Sequence, residues 1–236
     1  MVNPIRRALI LAPMTSELRP LAKQARARRE QVDGRTVHTA RVGDTEVVIA
    51  RLGVGPVVAR RTTEWALGAF RVDHVLVSGI AGGLHPDLPV GAVVVPEVVV
   101  DLGSGHRYQA SPLGTVERRG VVGTADRLIG DERELDALQA DGVVALEMES
   151  SGVAAACEAS AVPWTTFRVI SDRPDEHLTD DTMLGLLRPD GSARVGAAVG
   201  VMVRHPGRIP GMVRLGRDSA MAASKVARVS LAALRG

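Results

Sequence analysis

Residues 143–160 read VVALEMESSGVAAACEAS. A strand-like apolar run, Val143 to Leu146, stops at Glu147-Met148-Glu149, and a row of small, helix-compatible residues follows. A buried strand that hands over to a close-packed helix predicts crossover connections and a parallel or mixed sheet covered on both faces. The two acids at the handover are unexpected there and need a chemical reason.

Working outward, the same alternation runs along the chain. Ala8–Ala12 predicts a buried strand and Ser16–Arg29 a helix carrying Leu18 and Leu21 inward. Arg35–Val42 and Glu46–Leu52 predict a strand pair turned by Gly43-Asp44. Pro56 is placed to open the helix that carries Trp65 to Phe70. His74–Ser78 predicts a strand ending in GIAGGL (79–84), Ala92–Val100 a strand interrupted by Pro96, Ala125–Gln139 a helix, and Trp164–Ile170 a last strong strand. The fold class read from this is α/β, a single domain (1–190) with a central mixed, mainly parallel twisted sheet flanked by helices. A basic, amphipathic C-terminal helical extension (191–236) packs on or beside it.

Composition bounds the chemistry. The chain has 236 residues, 45% of them hydrophobic and only 2% aromatic, so the core is mostly Val, Ala and Leu, as suits buried parallel strands. Five aromatic side chains (Trp65, Trp164, Tyr108, Phe70, Phe167) are too few for a base-stacking platform, which argues against nucleic acid as a partner. The net charge of +2 says little globally. One cysteine, Cys157, rules out an intrachain disulfide framework and fits a reducing cytoplasm. The six histidines show no HxH or HxxxH spacing, so no metal is expected. No apolar run approaches the ~18 residues of a spanning helix.

Open α/β sheets bind ligands beyond the carboxyl ends of their strands, and three loops here carry suitable chemistry: GIAGGL (79–84), LEMES (146–150) and ISDRPDE (170–176). Glu149 reads either as a charge complement to a helix N-terminus or as a carboxylate, kept ionised by the helix dipole, that accepts two hydrogen bonds at once. Neighbouring ribose hydroxyls suit the second role. Asp172 reads as a turn residue or as a general acid. Arg168 reads first as an ion-pair partner, and Glu17 as a helix-start acid. The glycines of GIAGGL permit close backbone approach without forming a dinucleotide fingerprint.

Together GIAGGL, LEMESSGVAAAC (146–157) and FRVISDRPDE (167–176) resemble the nucleoside phosphorylase and nucleosidase superfamily, over roughly residues 8–176. The resemblance implies cleavage of the N-glycosidic bond of a 5′-modified adenine nucleoside, by water or phosphate. It places Met148 against the sugar, Glu149 on the 2′ and 3′ hydroxyls, and Asp172 at N7 of the purine. Arg168 matches the strand arginine near that aspartate. Glu17, in APMTSEL, matches the glutamate that activates water in the methylthioadenosine/S-adenosylhomocysteine nucleosidases. Gly79, Ile80, Ala81 and Gly82 would line the substrate, with Leu128 and Ile129 of TADRLI at the base. No cofactor is implied beyond phosphate as co-substrate, and a homo-oligomer, a dimer first, is the expected assembly.

Three features depart from the family's pattern. Ile80 stands where many relatives have serine, Val77 where the phosphorylase type has arginine, and Leu128 where the nucleosidases place an aromatic. The last sixty residues read as an addition to the family. From Arg194 onward they hold eight Lys/Arg against one acid, Asp218. That tail reads as a membrane-surface element, a partner-binding surface, or a helix packed on its own domain. It is similar to the hopanoid-associated phosphorylases, which implies a lipid-nucleoside phosphorylase as the alternative activity. A catalytically silent nucleoside-binding module is the other reading.

Overall fold

A computed structural model describes residues 5–85, 87–172 and 209–235. Strand β1 (Arg7–Ala12) buries five residues in succession, Ala8 to Ala12, as a strand covered on both faces must. It lies between β4 (Thr45–Arg51) and β5 (His74–Gly83) and is parallel to both. Among the described residues eleven strands form one mixed sheet. Its main path runs β2 (Arg28–Val32), β3 (Arg35–Val42), β4, β1, β5, β10 (Val143–Glu147), β9 (Val121–Thr124), β7 (Val98–Asp101), β8 (Arg107–Gln109). β11 (Trp164–Asp172) runs parallel to β5 and also pairs β6 (Val93–Val94).

Local chemistry explains much of this. Val42 faces Thr45 across the β3–β4 hairpin, so Gly43-Asp44 is its two-residue turn, and Gly43 takes a φ of 60° that other residues resist. Pro56 opens α2 (Pro56–Ala69) at the position where its missing N–H costs least. Pro96 separates β6 from β7.

Four expectations need correction. Helix α1 (Thr15–Gln24) ends before Arg28, because Arg28–Val32 forms a strand antiparallel to β3, and Arg26 at φ 52° breaks the helix between them. β5 does not stop at Ser78 but continues through Gly83. α3 (Glu132–Ala140) begins only after Asp131, whose side chain accepts the Glu134 N–H, and Ala125 instead extends β9 by donating to the Glu147 carbonyl. The short strands β8 and β9 carried no clear alternation and were not expected.

The small residues after Glu149 serve a close crossing. Helix α4 (Ser150–Ala159) meets α2 so tightly that a Cβ on Gly152 would lie 2.0 Å from the Pro56 carbonyl oxygen. Gly152→Ala is therefore expected to destabilise the protein by at least about 1–3 kcal/mol, the usual range for overpacking. At about 2–4 °C per kcal/mol for a chain of this size, thermal melting reads this as a loss of several degrees. An unchanged melting temperature would show that the crossing yields.

The C-terminal helix, α5 (Ile209–Ala233), packs on the rest of the fold. Ala222, Val226, Ala227, Leu231 and the following Leu234 are buried in one cluster with Ala8 and Ile10 of β1, Leu76 of β5 and Phe167 of β11. Lys225 Nζ donates to the Gly91 carbonyl at 2.7 Å, and Ser230 Oγ sits 2.9 Å from Ser78 Oγ. Of the three readings of the tail, the helix packed on its own domain is what these residues form. The 190/191 boundary, Arg194, Arg204 and Arg208, and the Arg173-Pro174 end of the aspartate loop lie outside the described residues.

Candidate active site

The ends of β1, β10 and β11 converge on the second half of β5. That half, Gly79–Gly83, is where β5 leaves β1 and pairs β11 on one side and β10 at Gly82 and Gly83 on the other. Glycine is needed there for space. A Cβ on Gly79 would lie 2.3 Å from Arg168 Nη1 and 2.9 Å from Glu17 Oε1, and one on Gly83 would lie 2.8 Å from Ile170 Cγ2.

Arg168 is fully buried at the centre. Its Nη2 donates to Glu147 Oε2, to Ser150 Oγ at 3.0 Å and to Glu149 Oε2 at 3.4 Å, and its Nη1 donates to the Ile80 carbonyl at 3.2 Å. Its Nε, equally buried, has no acceptor among the described residues.

Glu17 is the helix-start acid and also reaches β5. Oε2 accepts the Met14 N–H at 2.7 Å, which helps start α1, while Oε1 accepts the Ile80 N–H at 2.8 Å. Burial pushes its carboxyl up to about 7, against the opposing pull of the Arg168 guanidinium. Glu149 stands at the start of α4 without capping it. Burial pushes its carboxyl up to about 8, Arg168 opposing and the neighbouring Glu147 and Glu17 adding. The expectation that the helix dipole keeps Glu149 ionised is thus corrected, because the helix N–H groups go elsewhere.

They go to Glu147. Its carboxylate accepts the N–H of Glu149 at 3.0 Å, the N–H of Ser150 at 2.9 Å, Ser150 Oγ at 3.0 Å, and the Thr124 hydroxyl. Sequence reasoning passed over Glu147, Ser150 and Thr124. Glu147 left a signal, since an acid ending one strand and an arginine within another are natural buried partners.

Asp172 ends β11 opposite Gly82. Its Oδ1 accepts Ser171 Oγ at 2.5 Å, and burial raises its carboxyl above the usual range. Ser171 Oγ also reaches the Ala81 carbonyl at 3.4 Å. Met148 is half-buried between the two glutamates. Leu128 and Ile129 are half-buried in the non-helical connection after β9, which leaves the sheet beside Glu147, where β9 Thr124 pairs it. The structure therefore gathers Glu17, Gly79, Ile80, Glu149 and Arg168 directly, with Ala81, Gly82 and Asp172 along the next stretch of the β5–β11 ladder.

A family model described as the phosphorylase superfamily matches residues 7–115 and 109–187. The chain belongs to the phosphorylase superfamily. Superfamily relatives include the 5′-methylthioadenosine/S-adenosylhomocysteine nucleosidase of Chromohalobacter salexigens, 29% identical over 199 residues, or 71% of this chain and 85% of that one. That of Geobacillus thermodenitrificans is 28% identical over 70% of this chain and 84% of its own. With such relatives, membership makes the protein an enzyme that cleaves N-glycosidic bonds. Among solved folds, the S-adenosylhomocysteine nucleosidase of Streptococcus pyogenes, in complex with 5-methylthiotubericidin, superposes with a TM-score of 0.73 at 20% identity. It covers 99% of this chain and 98% of its own. A futalosine hydrolase mutant of Helicobacter pylori gives 0.62 at 24% identity, over 72% of this chain and 92% of its own. The match takes in helix α5, so that helix is part of the shared fold and not an addition to it.

Proposed function

We propose that the protein is a nucleosidase that hydrolyses the N-glycosidic bond of an adenine nucleoside modified at its 5′ position, with water as the nucleophile. The observation that carries this is Glu17: a buried carboxyl pushed up to about 7, held on the Ile80 N–H beside Arg168. A base that loses its proton near neutral pH is matched to activating water. Glu149 would take the ribose 2′ and 3′ hydroxyls, and once it loses its proton its negative charge would favour the positive charge that grows on the sugar. Asp172, protonated more readily than an ordinary aspartate, would supply the proton or hydrogen bond that lets the purine leave.

Phosphate suits this site poorly. Three carboxylates, Glu17, Glu147 and Glu149, surround one guanidinium, and that guanidinium already has carboxylate partners. The Ile80 N–H, a natural anion donor, is taken by Glu17. Of the four arginines that the sequence offers for a phosphate site, Arg41, Arg51, Arg60 and Arg61, Arg41 lies at the opposite end of the strands, Arg60 is exposed and paired with Glu64, Arg61 is exposed, and Arg51 donates to Thr15. The lipid-nucleoside alternative drew on an apolar tail, and the apolar face of α5 is used in the core.

Product analysis with methylthioadenosine tests the reading. Adenine and a free ribose end are expected without phosphate, whereas a phosphate requirement with a ribose 1-phosphate end would overturn it. No adenine from any adenosine derivative would leave only a binding module.

A second expected result concerns Glu149. Glu149→Gln keeps the size of the side chain and weakens its hold on both hydroxyls. The penalty for a 2′-deoxy substrate should largely vanish in this variant, because both changes remove one set of interactions. Simple additivity in the double-mutant-style cycle would remove Glu149 from the ribose.

A further inference from the structure

Glu147 accepts from two backbone N–H groups, two hydroxyls and a guanidinium, and neither it nor Arg168 exposes more than 1% of its side chain. Among the described residues Glu149, two residues on, has only the 3.4 Å approach of Arg168 Nη2 and a Gly55 backbone bond, and Glu17 has two backbone N–H partners and no side-chain donor. One buried cation is thus given mainly to the acid that faces the helix N-terminus, while the two acids placed to meet a substrate receive little of it. The negative charge of Glu147 partly offsets the Arg168 charge at the carboxylates behind it.

We propose that Glu147 is a positioning residue: by engaging Arg168 it keeps the carboxyls of Glu17 and Glu149 free of a full countercharge. The proposal rests on the nucleosidase reading for its link to catalysis, though not for its electrostatics. Among the described residues the charged groups that face the two working acids are Arg168 from β11, Glu147 from β10, and each other. Asp172 lies further along β11, and Asp101 of β7 reaches α4 through Ser151 Oγ at 2.7 Å. The negative charge of Glu147 raises both carboxyls, and Arg168 lowers both.

Without the Glu147 charge, Arg168 turns to Glu149 and Glu17. An arginine given up to a carboxylate lowers its pKa by about 1–3 units. In Glu147→Gln, the acidic limb of kcat/KM against pH is therefore expected to move down by about one unit or more. Thr124→Val is the control: it removes one hydrogen bond from Glu147 and leaves the charge, so melting temperature falls and the limb stays. A limb that does not move in Glu147→Gln, or moves as far in Thr124→Val, overturns the proposal. If Glu147→Gln does not fold, Glu147→Asp withdraws the carboxylate from Arg168, and the same downward shift, smaller, is required. Melting temperature from pH 5 to 9 gives a reading free of catalysis. Wild type should lose stability as pH rises through this range and Glu147→Gln should lose less; equal slopes overturn the electrostatic claim. A protein that cleaves no nucleoside yet shows the flatter slope would refute the nucleosidase reading and leave this one standing.

Discussion

Glu17→Gln is expected to lower kcat for methylthioadenosine by about 10²–10⁴-fold while leaving substrate binding close to wild type, the signature of a lost general base. Gln can still accept the Ile80 N–H that Glu17 holds, but its amide NH2 then faces the Met14 N–H, so some loss of stability at the start of α1 is expected beside the loss of turnover. It has no proton to take from water. The wild-type pH profile should carry the matching limb. Because the Glu17 carboxyl sits at about 7, kcat/KM should fall about tenfold per unit below that point. The stability sign runs the other way. A carboxyl raised from 4.5 to about 7 by folding binds its proton more tightly in the native state, so stability is highest below 4.5 and is lost as pH rises to 7. Glu17→Gln removes its share of that loss, and the variant should be relatively more stable at pH 8 than at pH 5. Stopped turnover together with this gain assigns the base. Near-wild-type kcat would take Glu17 out of the chemistry.

Asp172→Asn is expected to cut kcat by about two orders of magnitude or more with modest loss of binding. Asparagine keeps the Ser171 contact and the hydrogen bond to a purine nitrogen but has no acidic proton. The defect should shrink for nucleosides with better leaving groups, since a base that departs easily needs less help. A uniform defect across leaving groups would mean that Asp172 only holds the purine. Because burial raises this carboxyl, the alkaline side of the wild-type profile should bend above the ordinary aspartate range, and the bend should be absent in Asp172→Asn.

How much of this was legible in the residues can be judged at particular positions. The β3–β4 hairpin was readable because Gly43-Asp44 is a turn by its own chemistry, and Pro56 announced a helix start in the same way. The extent of α1 was not readable. Arg28–Val32 has no apolar alternation, and it is a strand only because β3 offers a partner. Likewise Gly79–Gly83 looks like a loop, yet β10 and β11 draw it into the sheet. Glu149, Asp172, Arg168 and Glu17 could be singled out because charged groups in and beside a buried sheet stand against its grain, and because the family resemblance falls on those positions. Glu147 stood against the same grain and was missed, because its partner Arg168 lies 21 residues away and its task is to hold that partner.

The amino-acid sequence by itself determined the alternation of strands and helices, the α/β class, and the placing of acids at strand ends and helix starts, because turn residues, helix starts and apolar periodicity are local. Tertiary structure alone decided which carboxylate holds the guanidinium and which two are left to exchange protons. That outcome depends on Ser150, Thr124 and Arg168 meeting Glu147 in a buried space, where a single ion pair outweighs any local preference for charge at a helix end. It also decided the fate of the basic tail. An amphipathic helix suits a membrane, a partner or its own domain equally well as a sequence. Only the open face of β1, β5 and β11 made the last of these the place where its apolar side leaves water.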